Sequence, residues 1–474
     1  MPKQFSTYLQ AKLPLLEKLL AKLAERYAYC SILGCDSQGK SIAVLTNSTI
    51  INDNPFAERG FVIRVHNGLN YAEYSFNELS EENIATILKK VATELELSEE
   101  YKQSKAIKLE EYKLFEEEKI RQDFKRVYQG EKPPLATVVN RLSAVKDHLQ
   151  KRENVLNATV NYQQLDISKC FLSKDKHLTQ FYSWAVGVVA ALVKKEEDVR
   201  YSYVSSSGVE PNQVLKELDD LEAKAYQDAM DLLGSLPPQA GVYDIIACPD
   251  ITGIIAHEAS GHGVEMAMFV KGRAKGQEYL NKRVASDLVT MHEGAKGEQL
   301  QVSSYFFDDE GNLAQDTIEI SKGILKTGVS DALSALILGT KPTGNGKRQS
   351  FERKAYARMT ATYFEAGKHS LEEMIASIKE GFLISVGYSG MEDPKNWGIQ
   401  LAALIGREIK DGKLTGKVVS PIMMTGYVPD LLGSISMLSD SVELFGSGMC
   451  GKGYKEWVKV SDGGPYLKAR VNIG

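Results

Sequence analysis

Two histidines and a glutamate in the segment IIAHEASGHGVEMA have the residue types of a hydrolytic metal site. His257 and His262 offer imidazole nitrogens, and Glu258 places a carboxylate directly beside the first of them. A catalytic zinc site has three protein ligands and one open position, so this pair predicts a third ligand elsewhere in the chain. The segment indicates a zinc hydrolase. The alternative at this point is a pair of unligated histidines near the end of a helix.

The spacing of the two histidines requires a distorted helix. In the familiar zincin pattern the histidines are four residues apart, an offset of about 40° on an ideal helix, whereas a separation of five gives about 140°. Gly261, with Gly263 close by, favours a local unwinding or a π-bulge that brings both rings together. Upstream, residues 242 to 247 predict a buried strand, and Asp250 is the expected N-cap of the metal helix.

The third ligand is expected among the cysteines. Cys450 is the leading candidate, because four glycines within eight residues of LFGSGMCGKGYKEW would let the backbone bend tightly around a ligand. A thiolate would also favour zinc. Cys248 is closer to the histidines in sequence, but a cysteine that ends a buried strand is usually a small hydrophobic residue.

Two glycine-rich segments resemble nucleotide-binding loops only in part. Gly446, Gly448 and Gly451 spell GxGxxG, but the residues that follow do not predict the helix of a dinucleotide-binding fold. The segment TGNGK, residues 343 to 347, lacks the four-residue gap of a phosphate loop. The first is therefore not a dinucleotide-binding loop, and TGNGK is interpreted as a structural loop.

The remaining chemically suggestive residues have no ligand partners in the sequence. His292 and Glu293 form a second HE pair without a following histidine, which predicts an exposed helix or loop. Asp308 and Asp309 are typical of a polar turn. The isolated histidines are expected to be structural: His66, His148, His177 and His369.

Composition indicates a globular protein of two domains. The 474 residues are 43% hydrophobic and 25% charged, with a net charge of −5. No dense Lys/Arg block occurs, so direct nucleic-acid binding is not expected. No stretch is apolar enough to cross a membrane or to serve as a signal peptide. Five scattered cysteines provide no disulfide framework, which predicts a cytoplasmic location.

The first 235 residues predict a mixed α/β domain. An amphipathic helix is followed by strands at 41–51, 60–65 and 70–76, and then by charged helices at 79–96 and 109–127. A further helix, an antiparallel meander that joins this domain, and a last helix complete it. The sequence LPPQAG at 236 to 241 marks the boundary.

Residues 236–474 predict a β-rich domain with few helices. It opens with the strand and the metal helix and continues through short strands and turns. The predicted fold class is α+β with two domains, an α/β N-terminal domain and a β-rich C-terminal domain that carries a kinked metal-binding helix.

Several carboxy-terminal motifs resemble those of the TldD/PmbA family of bacterial and archaeal zinc metalloproteases. They are HEASGHGVE, the DDEG turn followed by SKGILK, TGNGKRQSFERKAYARMTATYF, and GSGMCGKG, in that order. The amino-terminal part matches more by layout, and its clearest piece is RGFVIRV.

The resemblance implies a ligand set and a role for the glutamate. In that family the two histidines and a late cysteine bind zinc, which corresponds to His257, His262 and Cys450, and the glutamate, here Glu258, acts as general base. It also implies hydrolysis of short or unfolded peptides inside a two-subunit shell. The partner is either an identical subunit or a PmbA/TldE-like paralogue. Because this chain keeps every motif element, it resembles the catalytic TldD-like member.

Two other functions remain open from the sequence. One is a non-enzymatic interaction protein of the gyrase-modulator type, in which zinc is structural or absent. Structural zinc sites usually have four protein ligands, whereas only three are nominated here. The other is a metal-dependent amidase that acts on small non-peptide amides.

Overall fold

A computed structural model describes residues 4–97, 111–453 and 456–474. The α-helices are α1 (Thr7–Ala24), α2 (Ile84–Leu95), α3 (Leu135–Gln150), α4 (Pro211–Asp231), α5 (Pro249–Ala256), α6 (Met266–Val270), α7 (Ala332–Leu338), α8 (Leu371–Ala376) and α9 (Val428–Gly433). Of these described helices, none has the length and apolar character to cross a membrane.

The strands fall into two groups, one on each side of α4. The first group is β1 (Cys30–Val44), β2 (Thr49–Asp53), β3 (Glu58–His66), β4 (Tyr71–Phe76), β5 (Ile120–Lys125), β6 (Val155–Ser173), β7 (Lys176–Lys195) and β8 (Asp198–Gly208). The second group is β9 (Gly241–Ala247), β10 (Met291–Glu293), β11 (Thr317–Ser321), β12 (Ile324–Leu325), β13 (Gly346–Lys347), β14 (Tyr356–Ala357), β15 (Ala361–Phe364), β16 (Glu380–Asp393), β17 (Gly398–Lys410), β18 (Lys413–Val419), β19 (Ile422–Tyr427), β20 (Met437–Leu438), β21 (Glu443–Phe445), β22 (Met449–Lys452), β23 (Glu456–Lys459), β24 (Ser461–Gly464) and β25 (Leu467–Ile473).

The first group forms one sheet with helices on a single face. Its order is β4-β3-β1-β6-β7-β5, with β2 beside β1 and β8 beside β7. Alternation along β1 separates the two faces: Ile32 and Ile42 pack against helices, whereas Leu33 faces the other way. Helices α1 and α2 cover one end of the helical face, and α3 and α4 cover the other.

The second group is built around a ring of paired strands. Strand β16 pairs with β9, followed by β25, β19 and β17, and β17 pairs back with β16. A second sheet, ordered β12-β11-β10-β15-β24-β21, lies across α5 from this ring. The largest hydrophobic core joins the ring, α5 and the second sheet. The helix that precedes the histidines is therefore held on two sides by strands.

The face of the first sheet that carries no helices packs on the second domain. Tyr182 and Trp184 of β7 share a hydrophobic cluster with Val302 and Tyr305. Lys169 of β6 also bonds to Asp309 across this boundary. The two-domain α+β architecture is that predicted from the sequence.

Most elements of the first domain match the sequence prediction, but one strand and one helix do not. The strand predicted at 41–51 is wrong as a single strand, since that range covers the end of β1, a turn and the start of β2. The helix predicted at 109–127 is wrong in its described part, since residues 111–119 are extended and irregular and β5 follows. Residues 109 and 110 lie outside the described residues. Strand β5 pairs in parallel with the edge of β7 and places Ile120 and Phe124 against the domain boundary. This distant pairing overrides the helical spacing of the charges.

Candidate metal centre

The strand β9 leads directly into the helix that carries the histidines. Helix α5 begins at Pro249 with Cys248 at the N-cap, so the prediction of Asp250 as N-cap is wrong. Asp250 instead lies in the first turn, and its Oδ2 accepts a hydrogen bond from the Gly387 N–H at 3.0 Å. That bond ties the start of α5 to β16.

The helix changes its winding at the two histidines. It passes into a π-helical turn at His257–Gly261 and then a 3-10 turn at His262–Val264. The His262 N–H donates to the His257 carbonyl, which is the i→i+5 bond of a π turn and brings residues five apart onto one side. The two rings lie 5.2 Å apart and are perpendicular. The predicted π-bulge is confirmed. A Cβ on Gly261 would lie 2.0 Å from Met359 Sδ, so the close packing there requires glycine.

Cys450 approaches the histidines from a hairpin. Strands β22 and β23 pair Cys450 with Val458, and Cys450 is 2% exposed. Its Sγ lies 3.5 Å from His262 Nε2, and the three candidate ligand atoms all lie within 4.8 Å of one another. Burial would raise the pKa of the Cys450 thiol, but hydrogen bonding and the charges of His257 and His262 lower that pKa to about 4.

This donor set fits a zinc ion. Zn–S and Zn–N bonds of about 2.3 and 2.0–2.1 Å at a tetrahedral angle separate the two donor atoms by roughly 3.6 Å. The Cys450–His262 separation of 3.5 Å agrees with that value. Among the described residues, His257, His262 and Cys450 form the one such group, and it leaves a fourth position for a non-protein ligand.

A buried ion pair supports His262 from behind. Glu265 Oε2 lies 4.0 Å from His262 Nδ1 and 2.6 Å from Lys452 Nζ. Burial would raise the pKa of Glu265, but the charges of Lys452 and His262 and their hydrogen bonds lower it to about 2. Lys452 lies two residues after Cys450 on β22. The pair therefore links the hairpin of the cysteine to the turn of the histidine.

Glu258 borders a large cavity between the two domains. The cavity has a volume of about 690 Å³ and is lined by parts of β8 and α4 from the first domain and of α5, β16 and β24 from the second. His257 and Glu258 both line it. In the described part of the chain, Glu258 forms no ion pair. Glu258 is thus next to the candidate ligand His257 in the chain and lines the same cavity.

Beyond Ile384, one edge of β16 has no strand partner in the described part of the chain and faces this cavity, although the Gly387 N–H and carbonyl are already hydrogen-bonded to side chains. Residues 381–384 pair with β9 on one side and with β17 on the other, whereas the following residues pair with β17 alone. Residues 385–390 line the cavity. Tyr203 donates a hydrogen bond to the Gly387 carbonyl at 2.7 Å, which anchors the start of this edge to the first domain.

The second HE pair is buried, which contradicts the sequence prediction of an exposed helix or loop. His292 and Glu293 lie in β10, and Glu293 is fully buried. Glu293 accepts hydrogen bonds from the backbone and hydroxyl of Thr360 and from Asn345. Burial raises the pKa of Glu293, and the charge of His257 acts in the opposite direction. Its partners are distant in sequence, so no local signal could have placed it there.

The other candidate motifs add no ligand beyond Cys450, which lies inside the GxGxxG segment. That segment leads through β22 into the strand β23 and not into the helix of a dinucleotide fold. Lys347 of TGNGK lies in the short strand β13 and donates to the Lys459 carbonyl at 2.7 Å. Asp308 accepts hydrogen bonds from the amides of Glu310 and Asn312 and closes the predicted polar turn. Cys248 lines the cavity and is not part of the ligand group.

Comparison with known proteins identifies relatives for both the sequence and the fold. A family model described as the PmbA/TldA metallopeptidase C-terminal domain matches residues 240–472. A protein named metalloprotease from Methanothermobacter thermautotrophicus is 27% identical over 326 residues, 68% of this chain and 70% of that protein. A metalloprotease TldD homolog from Buchnera aphidicola subsp. Acyrthosiphon pisum is 32% identical over 256 residues, 53% of this chain and 52% of that protein.

Two solved structures share the fold over nearly the whole chain. A proposed modulator of a DNA gyrase from Thermotoga maritima superposes with a TM-score of 0.78 at 17% identity, covering 97% of this chain and 99% of that one. TldE from Thermococcus kodakarensis gives a TM-score of 0.74 at 18% identity, covering 97% and 100%. With the family model and the motifs in agreement, residues 240–472 of the chain belong to the TldD/PmbA family.

Proposed function

We propose that this chain is the catalytic type of subunit in its family, a zinc-dependent metallopeptidase that hydrolyses short or unfolded peptides. The observation that carries the proposal is the convergence of His257, His262 and Cys450 beside Glu258 at the wall of the cavity. Relatives named metalloproteases support it. Three ligands with a free position are typical of catalytic zinc, whereas structural zinc usually has four protein ligands.

The proposed chemistry assigns the proton transfers to Glu258. A zinc ion held by the three ligands would supply Lewis acidity, polarising a carbonyl oxygen and making water more acidic. The Glu258 carboxylate accepts a proton from the attacking water and, once protonated, donates it to the departing amine. His257, His262 and Cys450 act as ligands. Glu265 holds the orientation of His262 through the nitrogen that faces away from Cys450.

Substrate is proposed to bind as an extended chain along the unpaired edge of β16. Such pairing uses main-chain hydrogen bonds and gives affinity without strong side-chain preference. The edge runs beside Glu258, since Gly390 packs against that side chain. A peptide laid on β16 would pass the candidate ligands, whereas a folded protein could not enter a cavity of about 690 Å³.

The proposed setting is a two-subunit assembly in the cytoplasm. The partner is a second copy of this chain or a PmbA/TldE-like paralogue, and the shared fold with TldE supports either arrangement. All five cysteines are free thiols, as expected in a reducing compartment.

Hydrolysis of a mixed library of short unstructured peptides, read by mass spectrometry, tests the proposal. The zinc-loaded wild type is expected to cleave, and Glu258→Gln is expected to lose about 100- to 10,000-fold in rate, because the proton acceptor is gone while the ligands remain. Glu372→Gln, an exposed carboxylate on α8, is the matched control and keeps full activity. Zinc-loaded protein that cleaves no peptide, alone or with a paralogue, would contradict the proposal.

A further inference from the structure

The cavity beside Glu258 contains an excess of acidic side chains. Its charged lining residues in the described part of the chain are Asp228, Asp250, Glu258, Glu443, Asp462 and Lys224. Five carboxylates thus face one ammonium group. A cleft lined by one sign of charge concentrates its field and attracts ligands of the opposite sign.

The single lysine does not neutralise the others. Lys224 Nζ lies 3.0 Å from Asp228, whose carboxylate also contacts Arg407 at 3.2 Å. Asp250 is bound to the Gly387 amide. In the part of the chain that the structure describes, Glu443 and Asp462 form no ion pair. Both therefore lie at the cavity wall without a direct ion-pair partner, on the adjacent and hydrogen-bonded strands β21 and β24.

Aromatic rings line the same cavity. Tyr388 and Trp457 are 47% and 44% exposed, and Tyr203, Phe445 and Tyr466 also contribute to the wall. An ammonium or guanidinium group is stabilised both by carboxylates and by the faces of aromatic rings. An anionic side chain would meet repulsion from Glu443, Asp462 and Glu258 together.

We propose that the cavity selects peptides that carry a positive charge close to the cleaved bond, and that Glu443 and Asp462 are its specificity-determining residues. The cationic group is a lysine or arginine side chain or the α-ammonium of the peptide, which share this chemistry. The inference rests on the proposed peptidase function for the statement that the bound peptide is a substrate.

Matched peptides test the charge preference directly. One eight-residue sequence is made with lysine, norleucine or glutamate at a single position, each with a free and an acetylated amino terminus. Binding to zinc-loaded Glu258→Gln is measured by fluorescence anisotropy at low and high salt, and cleavage is measured with the wild type. The lysine peptide is expected to bind at least about 10-fold more tightly than the glutamate peptide at low salt, with a smaller ratio at high salt because ions screen exposed charges.

Variants locate the preference. In the Glu258→Gln background, Glu443→Gln is expected to reduce the lysine-to-glutamate ratio several-fold without changing norleucine-peptide binding. Adding Asp462→Asn should remove most of the preference for lysine that is left. The control Glu372→Gln should leave the lysine-to-glutamate ratio unchanged. Preference that depends on a free amino terminus supports recognition of the α-ammonium, and preference that survives acetylation supports recognition of the side chain.

The results separate this inference from the proposed function. Equal binding of the lysine and glutamate peptides together with equal binding of the free and acetylated forms, or a charge preference that survives loss of both carboxylates, would overturn the inference even if peptides are cleaved. Charge-selective binding with no cleavage by the wild type would instead overturn the peptidase proposal and leave the selectivity in place.

Discussion

The contribution of Glu265 to metal binding can be measured separately from that of the candidate ligands. Its carboxylate lies on the far side of the His262 ring from Cys450 and is held by Lys452. Partners of this kind fix the ring orientation and raise the basicity of a ligating histidine. Glu265 is therefore a positioning residue for His262.

Replacing this carboxylate is expected to weaken metal binding without unfolding the protein. Glu265→Gln keeps the size of the side chain but removes its charge, so zinc affinity should fall by about 10- to 100-fold. Competition with a chromophoric chelator measures the affinity, and Glu372→Gln is the control. An unchanged affinity in a folded Glu265→Gln protein would contradict the positioning role.

At the residue level, the sequence already contained the candidate ligands and general base. Their types and spacing single out His257, Glu258 and His262, and the resemblance adds Cys450. Their metal-binding and catalytic roles remain predictions. The prediction of an exposed Glu293 is wrong because the burial of this residue depends on strands that are distant in sequence and meet only in the folded chain.

At the level of elements, the contact of β16 with α5 and with the π turn that follows it fixes the position of Glu258. Gly390 of β16 lies so close that a Cβ there would be 2.4 Å from Glu258 Cγ and 2.8 Å from Ile254 Cγ2. Any larger residue must displace the glutamate or the strand. Glycine at this position is thus part of the geometry of the site.

Gly390→Ala is expected to reduce peptide hydrolysis at least about 10-fold and to cost roughly 1–3 kcal/mol of stability through overpacking. Metal content should stay unchanged, because the ligands lie on other residues. Gly398→Ala on the neighbouring strand is the matched control, since a Cβ there meets nothing within 4 Å. Steady-state kinetics and thermal unfolding of both variants measure the effect. Equal activities of the two variants would show that the contact with Gly390 does not fix the position of Glu258.

Element prediction succeeded where the pattern is local and failed where a distant partner decides. The long strands β6 and β7 show their alternation in the sequence, and the π turn follows from the five-residue histidine spacing and Gly261. By contrast, the 109–127 segment has charges at helical spacing but contributes β5 to the edge of β7.

At the level of the whole molecule, a buried ionic network joins the two domains. Glu73 of β4 accepts a hydrogen bond from Arg348 at 2.8 Å and another from Arg64, which also pairs with Glu310. Burial would raise the pKa of Glu73, but the charges of the two arginines lower it well below its ordinary value of 4.5. The ionised Glu73 therefore stabilises the domain contact.

This network predicts a defined acid dependence. Because the pKa of Glu73 is lower in the folded state, its stabilisation is complete above about pH 4.5 and is lost as the pH falls below that value. Glu73→Gln should lower the free energy of unfolding at pH 7 by roughly 3 kcal/mol, since it removes the carboxylate that the buried Arg348 pairs with and one of the two that Arg64 pairs with. Thermal unfolding between pH 7 and pH 3 should show a shallower acid-induced fall for Glu73→Gln than for the wild type. Parallel curves would contradict the role of Glu73.

The domain division at residue 235 and the two-subunit assembly remain predictions at this scale. The sequence could indicate two domains from the composition and the LPPQAG segment. It could not show that the cavity lies between them, because β8 and α4 reach it only after the first sheet packs on the second domain.

Zinc-edge X-ray absorption of the purified, zinc-reconstituted protein tests the proposed metal centre. One zinc per chain is expected, with one sulfur at about 2.3 Å and nitrogen or oxygen donors at about 2.0–2.1 Å. The sulfur signal should be lost in Cys450→Ala and kept in Glu258→Gln. Stoichiometric zinc with no sulfur ligand, or a sulfur signal that persists in Cys450→Ala, would contradict the proposed metal centre of His257, His262 and Cys450.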